Sequence, residues 1–165
     1  MKLGLISDTH DNLSAVESAV KKFNEENVSA VLHAGDWCAP FTLVRLSKVN
    51  CKVYGVFGNV DGERDFMKIK ANEVGAIILG EFGELEFNGV KIALIHGKHE
   101  KIVEALAKSG MYHVIVRGHT HKAEVKKFNN CLIINPGEAC GYLTGKKTIA
   151  ILDLTKMTAK ILELS

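Results

Sequence analysis

Three short apolar runs alternate with two helical patterns in the first sixty residues, and that order restricts the fold more than any other feature. Residues 2–7 (KLGLIS), 29–34 (SAVLHA) and 51–57 (CKVYGVF) read as strands. Between the first two, Val16, Ala19, Val20 and Phe23 recur at helical spacing, so residues 14–26 form an amphipathic helix, with Ser14 and Glu17 at capping-box spacing. Pro40 opens a shorter helix that runs to about Val49. Strand, helix, strand, helix, strand predicts a parallel sheet with right-handed crossovers.

The texture then changes. Residues 63–74 read as helix, 76–79 and 81–87 as short strands, and Asn88-Gly89 is the strongest hairpin signal in the chain. Strand 90–95 is followed by a helix over 100–109, with Ile102, Val103, Leu106 and Ala107 on one face, and by strand 112–117. Residues 123–128, 131–134, 148–154 and 157–164 complete the strands, with turns at Asn129-Asn130 and Thr155-Lys156. A single domain over residues 1–165 is expected, large enough for a substantial core. Its first half is parallel and its second mainly antiparallel, which suits two facing sheets with helices outside.

Composition excludes several classes. A net charge of +2 with scattered lysines gives no strong nucleic-acid signal. No apolar run approaches the ~18 residues of a membrane span. The first apolar stretch is broken by Asp8 and has no leader cleavage pattern, so a cytoplasmic protein is expected. Cys38, Cys51, Cys131 and Cys140 show no Cys-x-x-Cys spacing and read as reduced thiols.

What remains is a set of polar residues just beyond strand ends: Asp8 and His10, Asp36, Asn59, His96, His119 and His121. Asp8 and His10 stand two apart, and on extended backbone such residues share a side. Ligands of open α/β sheets bind outside the carboxyl ends of strands. Glycine precedes Asp36, Asn59 and His119 and follows His96, which lets the chain turn sharply there. One glycine-flanked histidine is more often structural than a ligand. Seven such residues in five motifs, all at strand ends, favour metal binding.

Two ions with four donors each need eight contacts, and seven residues suffice if one carboxylate bridges. Asp36 is the natural bridge, because a carboxylate offers two oxygens. Two aspartates and two divalent ions leave an excess of +2, enough to hold a hydroxide and a phosphate oxyanion together. Ions ~3.5–4 Å apart clamp the attacking and leaving oxygens of an in-line displacement. A bound water with its pKa near ~7 supplies the nucleophile. The chemistry implied is metal-assisted hydrolysis of a phosphate ester.

Asp8-Thr9-His10, Gly35-Asp36, Gly58-Asn59, His96-Gly97 and Gly118-His119-Thr120-His121 together resemble the ordered motif series of the calcineurin-like metallophosphoesterase superfamily. Spacing and length resemble its compact YfcE-like phosphodiesterase branch, and Ile134-Asn135-Pro136-Gly137 is similar to a late motif of that branch. The resemblance implies a four-layer α/β/β/α sandwich of two facing mixed sheets around two divalent ions. It implies Asp8, His10, Asp36 and His121 on one ion, and Asp36, Asn59, His96 and His119 on the other. Manganese or nickel is favoured, with iron, cobalt or zinc also suited to mixed N/O donors.

This chain departs from the pattern at several positions. Val60 stands where many members have a histidine thought to protonate the leaving group, so Asp61 is the candidate substitute. Lys98 follows His96-Gly97 where histidine is common, and Lys98 and His99 are candidate substrate contacts. Glu138 replaces a common serine. His33 reads as a hydrogen-bonded core residue with a minority role behind Asp36 or Asp8, His113 as surface, and Arg117 as structural.

The function expected is a dinuclear metal-dependent phosphodiesterase acting on a small phosphodiester, with Asp36, Asn59 and Asp61 as catalytic candidates. A non-catalytic scaffold on the same fold and a phosphomonoesterase are the alternatives, and a homo-oligomer is compatible with either.

Overall fold

The computed structural model describes residues 1–165. β1 (Lys2–Ile6), β2 (Ala30–His33) and β3 (Lys52–Gly55) lie parallel, joined by α1 (Leu13–Glu25) and α2 (Pro40–Leu46). α3 (Arg64–Val74) leads to the two-residue β4 (Ile77–Ile78), parallel to β3. β5 (Phe82–Phe87) and β6 (Val90–Ile95) form a hairpin. Its turn residues Asn88 and Gly89 have φ of 51° and 76°, the left-handed pair of a type I′ turn. α4 (Glu100–Lys108), β7 (Val114–Val116), β8 (Glu124–Phe128), β9 (Cys131–Asn135), β10 (Thr148–Asp153) and β11 (Thr158–Glu163) follow.

The strands form a six-stranded sheet in the order β11-β10-β1-β2-β3-β4 and a five-stranded sheet in the order β5-β6-β7-β9-β8. The second half is mainly antiparallel in its pairings, β5 with β6, β8 with β9, β1 with β10 and β10 with β11, but it holds a parallel core. Within the five-stranded sheet β6, β7 and β9 run parallel, because α4 makes a crossover between β6 and β7, and the edge strands β5 and β8 are antiparallel to them. The last hairpin also leaves that sheet. β10 pairs with β1, Lys2 opposite Asp153, and fills the free edge of the first strand.

Strand alternation builds three apolar layers. Leu3, Leu5 and Leu32 face Ile92, Leu94, Val114 and Val116 between the sheets. Ile6, Val31 and Val53 point the other way, into a layer roofed by Val16 and Phe23 of α1, Leu43 of α2 and Met67 of α3. Val103 and Ala107 of α4 cover Ala93, Ile115 and Ile133 on the far face. The result is an α/β/β/α sandwich. Burying one side chain such as Phe23 contributes roughly 1.5–3 kcal/mol. No helix is long and apolar enough to cross a membrane.

Helix starts obey hydrogen bonding more than propensity. α1 is capped by Asn12, whose Oδ1 accepts from the Ala15 amide at 3.2 Å, and not by Ser14. The Asn12 amide also donates to the Cys140 carbonyl at 2.8 Å, tying the helix to a late loop. An isolated Ser-x-x-Glu spacing carries no record of that second partner.

Candidate metal centre

The ends of β1, β2, β3, β6 and β7 deliver their following residues to one edge of the sandwich. Asp8, His10, Asp36, His119 and His121 take φ of 51°, 40°, 60°, 71° and 61°, left-handed backbone that costs a residue with a Cβ roughly 1–2 kcal/mol. Asp8 and His10 thus converge by a turn beyond β1, not by the alternation of an extended strand. Backbone bonds hold the turn: the Asp8 amide donates to Gly35 O at 3.0 Å, and those of Thr9 and His10 to Asp36 O at 3.1 Å. Two glycines have no alternative here. A Cβ on Gly58 would stand 2.0 Å from Asp36 Oδ1, and one on Gly118 would stand 1.9 Å from Ser7 Oγ.

One cluster brings together Asp8, His10, Asp36 and His121, with their donor atoms all within 4.8 Å of one another. Asp8 Oδ1 lies 3.4 Å from His121 Nε2, and His10 Nε2 lies 3.7 Å from Asp36 Oδ2. Asp8 Oδ1 and His10 Nε2 are buried without a hydrogen-bond partner. Leaving such atoms unsatisfied costs about 1–3 kcal/mol each, so the pocket is built for something that binds lone pairs. Burial also pushes the Asp8 carboxyl above its usual range.

The second cluster shares Asp36. Its Oδ2 is 3.3 Å from His96 Nε2, which is 3.0 Å from Asn59 Oδ1, itself 2.9 Å from His119 Nδ1. His96 Nδ1–H donates to Ala34 O at 2.8 Å, so in the neutral ring Nε2 is a lone pair among oxygen acceptors. Acceptors gathered this way need a positive charge between them. Burial opposes a proton on His96, but Asp36 and Asp8 override it and raise the pKa. The sequence reading gave Asp36 two bridging oxygens. Here Oδ2 alone faces both clusters, while Oδ1 accepts from the Val60 amide at 3.1 Å.

Glu138 fixes the first cluster from behind. It is fully buried and accepts from His121 Nδ1 at 2.7 Å, from the Thr144 hydroxyl at 2.6 Å and from the Leu143 amide at 3.0 Å. Burial alone would raise its pKa, but those donors hold it down at about 2. His121 Nε2 is thereby presented as a lone pair toward Asp8. The sequence marks Glu138 only as a departure from serine. His10 is oriented similarly, with Cys38 Sγ 3.3 Å from its Nδ1, a role invisible in the cysteine spacing.

Asp61 is placed differently from expectation. Its Oδ2 accepts from the amides of Gly58 at 2.7 Å and Asp36 at 3.1 Å, and its Oδ1 from Cys38 at 2.8 Å. A carboxylate engaged by three backbone donors fastens the Asp36 and Asn59 turns together and has no proton aimed at a substrate. Val60 is 43% exposed, with an apolar side chain.

His33 is a core residue. The Gly35 amide donates to its Nδ1 at 3.1 Å, so Nε2–H points to Thr9 Oγ1 at 3.0 Å, and the ring stacks on Trp37 at 3.4 Å. Arg117 is buried against Glu100 and donates to Gly97 O at 2.8 Å, bracing the His96 turn. His113 is exposed. Lys98 and His99 are exposed and line a cavity of ≈ 500 Å³ that begins at Asn59 and His96.

Comparisons with known proteins agree with this arrangement. A family model described as the calcineurin-like phosphoesterase superfamily domain matches residues 1–157. A protein of Methanocaldococcus jannaschii named as a phosphodiesterase is 40% identical over 157 residues, covering 94% of this chain and 95% of that protein. The solved structure of an archaeal phosphodiesterase superposes with a TM-score of 0.95 at 39% identity, over 99% of this chain and all of that one. A phosphoesterase of E. coli, Yfce, shares the fold at a TM-score of 0.74 and 19% identity over the full length of both chains.

Proposed function

The chain belongs to the calcineurin-like phosphoesterase superfamily, a family of hydrolases, and from that membership we propose that it cleaves phosphate diesters with two divalent ions. Asp8, His10, Asp36 and His121 would hold one, and Asp36, Asn59, His96 and His119 the other. The observation that carries this reading is the pair of donor clusters joined at Asp36 Oδ2, with Asp8 Oδ1 and His10 Nε2 buried and unpartnered. A scaffold with no ligand to hold would gain stability by pairing or replacing those atoms.

Bound ions supply Lewis acidity toward water and the phosphoryl oxygens. The chain's own groups set where that acidity acts. Glu138 and Ala34 O fix the tautomers of His121 and His96, so each ring offers Nε2. Exposed Asn59 forms the lip, where a phosphoryl group would enter from the cavity side, with His119 Nδ1 2.9 Å from its Oδ1. Val60 offers no proton, and Asp61 is committed to backbone amides, so no carboxyl or imidazole on that loop assists the leaving oxygen. A positioned acid is worth roughly 10²–10⁴-fold, and its absence favours esters whose leaving groups are acidic. A diester, with one negative charge, also enters without the second charge of a monoester.

Nitrogen and oxygen donors suit manganese or nickel. The Cys140 thiol, within 4.8 Å of the His10 and His121 donors, donates to Glu138 Oε2 at 3.3 Å, and burial pushes its pKa up to about 12. The reading places the enzyme in the cytoplasm. The test is metal-stripped protein assayed on aryl diesters and monoesters of graded leaving-group pKa, with each divalent ion restored in turn. Diester hydrolysis returning with manganese or nickel, with a steep leaving-group dependence, is expected. Equal rates on mono- and diesters with no such dependence would overturn it.

A further inference from the structure

We propose that the cavity beside Asn59 and His96 is the subsite for one ester arm of the substrate, and that it takes a nucleoside; the inference rests on the diester reading above. The cavity measures ≈ 500 Å³ and shares Asn59 and His96 with the second cluster, so an arm attached to phosphorus at that cluster extends into it. Its volume falls in the ~300–1,000 Å³ range of sites for whole small organic molecules, well beyond the need of a phosphate alone.

The walls select the chemistry. Phe82 stands at one side, 37% exposed, held edge to face against Tyr112 with ring centroids 6.2 Å apart. A large ring kept half bare and immobilised by a second ring offers a ready stacking face. In the same lining, the Arg64 guanidinium lies 5.1 Å from the centre of the Phe57 ring and is tied to the carbonyls of Asp61 and Gly58, each at 3.1 Å. Arg64 pairs with Glu81 at 2.6 Å, and the Glu81 side chain remains 73% exposed. The Arg64–Glu81 pair therefore presents donors and acceptors side by side with no net charge of its own.

A heterocyclic base has flat apolar faces and an edge that alternates donors with acceptors, which matches both features. An alkyl arm would waste the polar rim, and a sugar would offer Phe82 only puckered C–H groups where a base offers a flat π face. Exposed Lys98, also in the lining, is the cation left for the phosphate or ribose oxygens.

Two linear diesters with the same leaving group test this: thymidine 5′-(4-nitrophenyl phosphate) and methyl 4-nitrophenyl phosphate, on the manganese-loaded enzyme. Stacking of one base is worth about 1–3 kcal/mol, so the nucleoside ester should have a KM about tenfold lower or better. Phe82→Leu, which keeps apolar bulk, and Phe82→Ala should each collapse the ratio of the two KM values toward one. Calorimetry with adenosine 5′-phosphate and ribose 5-phosphate gives a second readout that needs no turnover. The base should tighten binding to the wild type and not to Phe82→Leu. A nucleoside advantage that survives both substitutions, or equal KM values for the two diesters, overturns the subsite while leaving diester hydrolysis standing. Failure of the wild type to turn over either ester sinks the parent reading instead, and the calorimetric comparison then decides the subsite alone.

Discussion

The two halves of the centre are built on opposite plans around their shared Asp36. The half with Asp8, His10 and His121 has buried carboxylates and half-buried imidazoles, counts two carboxylates among its donors, and is braced from behind by Glu138. The half with Asn59, His96 and His119 has one carboxylate, shared, and an exposed amide at the edge of the cavity. Water reaches exposed Asn59, whereas Asp8 Oδ1 and His10 Nε2 are buried with no hydrogen-bond partner. On the two-ion proposal, affinity for an ion would be set where the donors have no other partner, and access for a substrate where they do.

The contrast breaks most completely at the shared residue. Asp36→Asn is expected to lose both ions by elemental analysis and to lower manganese-dependent turnover by about three orders of magnitude or more, with far-UV dichroism unchanged. Two ions retained with an unchanged rate would show that the halves do not meet at Asp36.

Next in size are the differences between the halves. Manganese titration of the metal-free protein should proceed in two steps, the first about tenfold tighter or more, with a rise in Tm on the first step. Glu138→Gln should weaken that first step about 10–100-fold and leave the second nearly in place, while Asn59→Ala should do the reverse. Two indistinguishable steps would erase the comparison.

Asp61→Asn should lower kcat by a similar factor for good and poor leaving groups, because an amide nitrogen facing the Gly58 and Asp36 amides disturbs the turns and removes no proton donor. A loss confined to poor leaving groups would restore Asp61 as the acid.

The smallest effect lies outside both halves. His33 is buried and neutral, its pKa held well below 6.5 chiefly by burial, against the pull of Asp36. The unfolded chain takes up a proton below pH ~6.5 that the folded chain refuses, so stability falls as pH drops through that value. His33→Gln should cost about 1–3 kcal/mol at pH 8, keep turnover within about tenfold, and lose up to ~1.4 kcal/mol per pH unit of the wild-type slope below pH 6.5. Denaturant midpoints at pH 8 and 5.5 measure it; parallel slopes would place the acid sensitivity elsewhere.

The sequence was most legible where a local pattern has one physical outcome. Short apolar runs ending in glycine and a polar residue became strands with loops at one edge, and Asn88-Gly89 became a hairpin. It was least legible where a residue's partner is remote. Nothing in residues 148–154 says that they will lie beside β1, nor in residues 90–134 that α4 will set β6 and β7 parallel. Within the centre, residue types pointed to donors, but the direction of a side chain did not follow from them. Asp61 turned back onto the amides of its own loops, and Glu138 turned toward a histidine seventeen positions earlier. Both are acids whose partners are set by tertiary packing.

The pairing of β1 with β10 has a consequence for how the molecule is made. A chain emerging from the ribosome has displayed all seven candidate donors once His121 is out. It has no centre at that moment, because the Ser7 and Asp8 carbonyls are latched by the Ala139 and Cys140 amides, at 3.0 and 3.1 Å, and β1 is flanked by a strand that begins at Thr148. Contacts this distant in sequence form slowly. Until the last hairpin is synthesised, the growing chain exposes the edge of β1 and a half-assembled set of histidines and carboxylates, so ion capture belongs to the end of folding and not to its beginning.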